Sequence, residues 1–221
     1  MKKGQGHIEF ILSFLIFLSF AAILFLVLNP FRSSSRIDLL EEVDEEIRDW
    51  LEIDLTSYSY KPDTEPSLGG CIGIDKIGEG NVRVKSATNG DVGARISGNK
   101  INIKSGKSFY KIFLAENLIP YGESGLESCD SGVIGNYGVP VKRKVFSKQK
   151  ISDLETMDYL QFKNSLNIDD DFKLTIKKDS GDVFIGKNAS QGVSTQAREL
   201  VIEILDGNAE IEYGRMNLVV W

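Results

Sequence analysis

Histidine is nearly absent from this 221-residue chain, whose single histidine is His7. A Ser/His/Asp triad or a histidine metal cluster therefore cannot be built in the remainder of the sequence. Aspartate and glutamate residues are scattered, and no spacing singles out a pair of carboxylates of the kind that glycosidases use. The sequence accordingly predicts that the protein is not an enzyme, that it has no metal site and that it needs no cofactor.

Cysteine is also scarce, because the chain has only Cys71 and Cys129. Their separation of 58 residues excludes a CxxC metal or redox pair. In an oxidising environment two cysteines of one domain are expected to form a disulfide, and closing so long a loop contributes about 3–4 kcal/mol. The alternative is a pair of buried, reduced thiols.

Clusters of positive charge are lacking as well. The formal net charge is −6, and no basic patch or arginine-rich helix offers a footprint for nucleic acid. Glycine clusters occur, but none has the Gly-Lys-Ser/Thr ending of a phosphate-binding loop, so they predict turns. We therefore expect no nucleic-acid partner.

Charge is missing altogether from Phe10 to Leu28. As an α-helix this apolar run is about 28 Å long, close to the roughly 30 Å hydrocarbon core of a bilayer. It does not end in the small residues of a secretory cleavage site, so the helix should be retained. Lys2 and Lys3 precede it and predict a cytoplasmic N-terminus. The run predicts a transmembrane helix over 5–28 and a single-pass membrane protein with an extracytoplasmic C-terminal domain.

The residues before the apolar run form a distinctive motif. Lys2-Lys3-Gly4, then Gln5-Gly6-His7-Ile8-Glu9-Phe10, and then the apolar run resemble the class III signal peptide of archaeal type IV pilin-like proteins. The resemblance implies that a prepilin peptidase cuts after Gly4, that the processed chain begins at Gln5 and that Glu9 is its fifth residue. His7 departs from the family, whose members often have a small hydroxyl residue there. The resemblance covers about the first thirty residues.

Glu9 places a carboxylate in the first turns of the apolar helix, where it costs a few kcal/mol in lipid. Cleavage would create an α-amino group on Gln5, one helical turn away. The Glu9 carboxylate would neutralise that amine, either in its own subunit or in a neighbour displaced along a filament. The alternative is a carboxylate that is solvated at the headgroup boundary.

The resemblance implies a pilin-like structural subunit of a cell-surface filament, assembled through its N-terminal helix. The implied partners are the membrane, the prepilin peptidase, and other pilin subunits or the filament assembly machinery. The alternative is a monomeric, membrane-anchored extracellular binding or adhesion domain that uses the helix only as an anchor.

The remainder of the chain predicts an α+β fold. After the leader at 1–4 and the first helix, Asn29-Pro30 introduces a kink, and apolar residues at helical spacing predict an amphipathic helix over 29–55. Alternating apolar residues and Gly/Asn turns over 56–221 predict a mainly antiparallel β domain. The long kinked N-terminal transmembrane and amphipathic helix is expected to pack on this domain. Ser152-Asp153-Leu154-Glu155 has the form of a capping box and predicts one short helix that ends near Asn167.

Two further residues stand out near the C-terminus. Asn188-Ala189-Ser190 is the single N-glycosylation sequon and makes Asn188 a candidate modification site. Arg198, followed by a turn and a terminal Val-Val-Trp strand, resembles the C-terminal ends of archaeal pilin-like proteins but assigns no chemistry.

Overall fold

A computed structural model describes residues 5–28, 34–63, 70–122, 124–127, 129 and 135–221. The chain divides into two compact units, Met1–Glu42 and Val43–Trp221. The first unit contains α1 (Gln5–Leu28) and the start of α2 (Ser34–Leu51). The predicted leader at 1–4 and the predicted kink at Asn29-Pro30 lie outside the described residues.

The helix α1 is apolar, and its side chains are described over 10–24. Among the described residues, however, no helix combines the length and the apolar character that crossing a membrane requires. The prediction of a transmembrane helix over 5–28, and with it of a single-pass membrane protein, is therefore wrong.

The predicted α+β class is also wrong, because strands make up 44% of the structure and helices 24%. The chain is mainly β. One physical reason lies just after α2, which ends at Leu51 instead of reaching residue 55. Ile53 and Leu55 alternate with the charged residues beside them, and they lie in a long strand that pairs on both of its sides.

Thirteen strands are described, and most of them belong to one large sheet. They are β1 (Glu52–Pro62), β2 (Cys71–Asp75), β3 (Asn81–Ser86), β4 (Asp91–Val92), β5 (Ala94–Ser97), β6 (Lys100–Lys104), β7 (Tyr110–Ala115), β8 (Gly135–Tyr137), β9 (Val141–Ser147), β10 (Phe172–Lys178), β11 (Gly181–Gly186), β12 (Gln196–Leu205) and β13 (Ile211–Val220). The large sheet has the order β11-β10-β13-β12-β9-β1-β7-β3-β4, and β8 also pairs with β1. A smaller sheet has the order β2-β6-β5. Neighbouring strands are antiparallel except β9 and β12, which run parallel over two residue pairs.

The small sheet packs on the β1, β3 and β7 part of the large sheet. Its isoleucines meet tyrosine and aliphatic side chains in one apolar cluster, whose most deeply buried members are Ile101, Ile103, Val84, Tyr110, Ile112 and Leu114. Cys71 begins β2 and forms a disulfide with Cys129, with a Cα–Cα distance of 5.1 Å. The bridge has the predicted pairing, and it ties the small sheet to the segment that follows β7.

The single helix predicted near 152–167 is two helices, α3 (Lys148–Thr156) and α4 (Tyr159–Ser165). Ser147 caps α3 and accepts a hydrogen bond from the Lys150 N–H at 3.3 Å. Asp158 caps α4 by accepting from two backbone N–H groups. The predicted capping box at 152–155 is wrong, because Ser152 lies inside α3 and the real caps use residues on either side.

Candidate functional site

The most unusual surface of the molecule belongs to α1. The side chains described over 10–24 include eleven exposed large apolar residues, with fractional exposures that reach 73% for Phe10 and 66% for Phe17. The hydroxyl of Ser19 donates to the Leu15 carbonyl oxygen at 2.8 Å, so this polar side chain is satisfied within the helix. Contiguous apolar surface of this extent marks a region that another molecule covers. We call residues 10–24 the apolar helix surface.

From Gln5 onward, the residues of the N-terminal motif belong to the same helix as this surface. Gly4, on one side of the predicted cleavage site, is outside the described residues. Gln5 is the first residue of α1, and Glu9 lies four residues further along the same helix. Helical geometry places these two backbones one turn apart. The side chain of Glu9 is not described, so its pairing with the Gln5 amine stays a prediction.

The second half of α2 is fixed to the β domain by a buried stripe and by ion pairs. Val43, Ile47 and Leu51 recur at helical spacing and are almost completely buried, as the sequence pattern predicts for this part of the helix. Asp44 is buried beside them, and the Arg198 guanidinium of β12 donates to its carboxylate at 2.8 Å. Its other carboxylate oxygen has no hydrogen-bond partner among the described residues. The cation on β12 thus compensates a carboxylate that the helix carries into the core.

We expect Arg198→Met to lower the free energy of unfolding by about 2 kcal/mol. Removing one partner of a fully buried pair costs about 3–5 kcal/mol, and the partial exposure of Arg198 reduces that cost. The double variant Asp44→Leu/Arg198→Met should recover most of the loss, since no charge then stays buried. Urea unfolding followed by fluorescence measures both. A single variant as stable as the wild type would show that solvent already neutralises Asp44.

A charged cavity of about 330 Å³ opens beside β1. Its lining residues are Glu52, Ile53, Asp54, Glu79, Gly80, Glu116 and Lys144. Lys144 Nζ lies 2.9 Å from Asp49 and 3.8 Å from Glu52, and Lys150 Nζ lies 3.6 Å from Glu116. Hydrogen bonding to Asp49 raises the pKa of Lys144. Lysines therefore neutralise these carboxylates, and the described residues hold no group of three or more His, Cys, Asp or Glu side chains that could bind a metal.

A second polar cluster surrounds Asp171, which ends the acidic run Asp169-Asp170-Asp171. Tyr159 donates its hydroxyl proton to the Asp171 carboxylate at 2.9 Å, and the Lys163 ammonium donates at 2.8 Å. The hydrogen bond from Lys163 lowers the pKa of Asp171, whereas burial raises the pKa of Tyr159 to about 12. The Tyr159 hydroxyl also accepts from the Phe172 N–H, so the cluster fixes α4 to the start of β10. Its groups are engaged with one another, which is typical of a structural network.

A buried tyrosine hydroxyl, that of Tyr58, also has a structural role, beneath the small sheet. Burial raises the pKa of Tyr58 to about 12, so this phenol is neutral at physiological pH. It donates to the Asp75 carbonyl oxygen at 3.1 Å and accepts from the Ile77 N–H at 3.4 Å. These hydrogen bonds hold the end of β2 and the residues that follow it against β1.

Asn188 of the sequon is exposed in the loop after β11. Its side-chain oxygen accepts a hydrogen bond from Lys173 Nζ at 2.9 Å. The bond lies at the surface, so glycan attachment at Asn188 stays a prediction that the fold permits.

Comparison with known proteins identifies no relative of this chain. No protein-family model, no curated protein and no solved structure matches the chain. The functional evidence therefore consists of the N-terminal motif, the apolar helix surface and the β domain that follows.

Proposed function

We propose that the protein is a pilin-like structural subunit of a filament, processed by a prepilin peptidase after Gly4 and assembled through α1. The apolar helix surface is the observation that carries this proposal. Its large side chains are exposed around the helix, and the residues immediately before it have the order of a class III leader. A filament core built from the α1 helices of many copies would cover this surface.

The energetics favour such a core. Burying one fully exposed leucine or phenylalanine side chain contributes about 1.5–3 kcal/mol, and the apolar helix surface carries many of them. Contacts of that size, repeated between copies, exceed the cost of fixing a subunit in a filament. The charge-free surface gives no direction to the packing, which leaves the Gln5 amine and Glu9 as the groups that would set the register.

The β domain suits the role of a durable outer layer. It has a large sheet, a small sheet packed on it and a disulfide that ties the small sheet to the segment after β7. Beside its cavity Lys144 pairs with Asp49, and Lys163 pairs with Asp171.

Processing provides the direct test. We expect the protein isolated from its source cells to begin at Gln5 and Gly4→Val to accumulate with its leader attached. Glycine lets the backbone approach the peptidase closely, and the branched side chain of valine prevents that approach. N-terminal sequencing and intact mass spectrometry of the two proteins measure the outcome.

A matched control is Gly6→Val, which adds the same side chain on the other side of the cleavage site. It should be cleaved to a larger extent than Gly4→Val if the residue before the bond decides recognition. A wild-type protein that retains Met1 in cells with an active prepilin peptidase, and that yields no filament on shearing, would refute the proposed function.

A further inference from the structure

The two edge strands of the large sheet differ in how they are protected against pairing with a further strand. At one end β4 has only two residues, and the Ala94 N–H just beyond it donates to the Tyr121 carbonyl oxygen at 3.0 Å. At the other end β11 pairs with β10 on one side only. No element in the described part of the chain pairs with its outer side. In an antiparallel strand alternate residues direct their N–H and C=O groups to that open side.

The outer strand β11 has few of the features that normally prevent edge-to-edge association. Exposed edges are usually protected by charged side chains, above all lysine, by proline, by a bulge or by very short length. The sequence of β11 is Gly-Asp-Val-Phe-Ile-Gly, which has six residues, no lysine or proline, and one charged side chain, Asp182. Phe184 at its centre is 69% exposed, whereas Val183 and Ile185 are buried on the opposite face. An edge strand with an exposed apolar residue at its centre is a site where another strand adds.

We propose that β11 pairs antiparallel with β11 of a second copy of this chain, which joins the two large sheets about a twofold axis at Phe184. In this register Phe184 faces Phe184 of the other copy, and Val183 faces Ile185. Apolar residues therefore meet on both faces of the joined sheet. A twofold pairing of this kind buries the edge of both copies at once and closes after two subunits.

Charge complementarity favours a second copy as the occupant. The twofold register sets Asp182 opposite Gly186 of the other copy, and Gly186 pairs with Lys173 on β10. Lys173 is the next residue in register beyond that glycine, and its ammonium, which donates to the Asn188 side-chain oxygen at 2.9 Å, places a positive charge on the same face of the joined sheet as Asp182. The symmetry repeats this arrangement. Within its own copy Asp182 already lies opposite Lys177, so no like charges face each other across the junction.

A charge exchange at Phe184 tests the pairing. The full chain is kept in detergent micelles to cover α1, and dimer formation is measured by sedimentation. Phe184→Lys and Phe184→Glu, each alone, should weaken dimerisation at least tenfold, because like charges directly opposite each other repel. An equimolar mixture of the two should restore it. Val201→Lys is the matched control, since Val201 is 74% exposed but lies on β12, three strands away from β11 in the sheet order, and it should change nothing.

Cross-linking gives an independent reading. Directly opposed residues of antiparallel strands have Cα atoms about 4.5–5.5 Å apart, within the range of a disulfide. Phe184→Cys should therefore form a covalent dimer on oxidation, while Val201→Cys should not. The native Cys71 and Cys129 are bonded to each other and do not compete.

Several outcomes would overturn the pairing: a wild-type protein that stays monomeric, a Phe184→Lys variant that dimerises like the wild type, or equal cross-linking through position 201. Association through α1 alone would give the second of these results, since charge at position 184 would then have no effect. The pairing does not rest on the proposed function, because neither cleavage at Gly4 nor Glu9 enters it.

Discussion

Glu9→Gln is expected to abolish filament assembly while leaving cleavage of the leader intact. In the proposed filament core the Glu9 carboxylate, from its own copy or a neighbour, would neutralise the Gln5 amine. Removing one member of a buried charge pair costs about 3–5 kcal/mol, and in a filament that cost recurs at every subunit. Cleavage should proceed normally because the altered residue lies four positions beyond Gln5.

The measurement compares the yield of sheared filaments with the amount of cleaved subunit in the cells. Glu45→Gln is the matched control, since Glu45 lies on the exposed side of α2 and a solvated carboxylate contributes at most about 1 kcal/mol. It should assemble like the wild type. Filaments of Glu9→Gln at normal yield would show that the carboxylate is solvated and has no role in assembly.

The hairpins near the C-terminus could be predicted from sequence because their signals are local. The strands β10 and β11 flank a turn at Asp179-Ser180, and β12 and β13 flank a turn at Asp206-Gly207-Asn208. In each case the paired residues are close in the chain, and glycine or asparagine lies in the turn or directly beside it. The pairing of the cysteines could be predicted because the chain has only two of them.

The strand at the centre of the large sheet was missed, because its first residues continue the apolar stripe of α2. Ile53 extends the helical pattern, whereas Tyr58 and Tyr60 already alternate with serines in the manner of a strand. The partners of β1 are β7 and β9, which lie far along the chain. Distant pairing decided between helix and strand here, and a local pattern does not contain that information.

The candidate site likewise has features that consecutive residues specify and features that depend on the fold. The apolar character of α1 and the motif before it are contained in consecutive residues and could be identified directly. Asp44 and Arg198 are 154 residues apart, so nothing in the sequence indicates that Asp44 of α2 forms an ion pair with Arg198 of β12. Likewise, the exposure of the β11 edge depends on the order of the strands in the sheet, which the turn signals alone do not determine.

Removing the disulfide is expected to lower the free energy of unfolding of the β domain by about 4 kcal/mol, through the variant Cys71→Ala/Cys129→Ala. The bridge closes a loop with a sequence separation of 58 residues. By the chain-entropy relation, opening a loop of this length raises the entropy of the unfolded chain, which stabilises the unfolded state by about 4 kcal/mol. The loop contains β2 to β7, so the whole small sheet lies within the constraint.

Urea unfolding followed by tryptophan fluorescence measures this loss, because both tryptophans, Trp50 and Trp221, lie in the second unit. The dependence of the free energy on urea should also become steeper, since an unfolded chain without the bridge exposes more surface. Adding a reductant is the control: it should destabilise the wild type to the level of the double variant and leave the double variant unchanged. Equal stability of the wild type and the double variant under oxidising conditions would mean that packing between the two sheets alone fixes the segment around Cys129, and that the bridge does not constrain the unfolded chain.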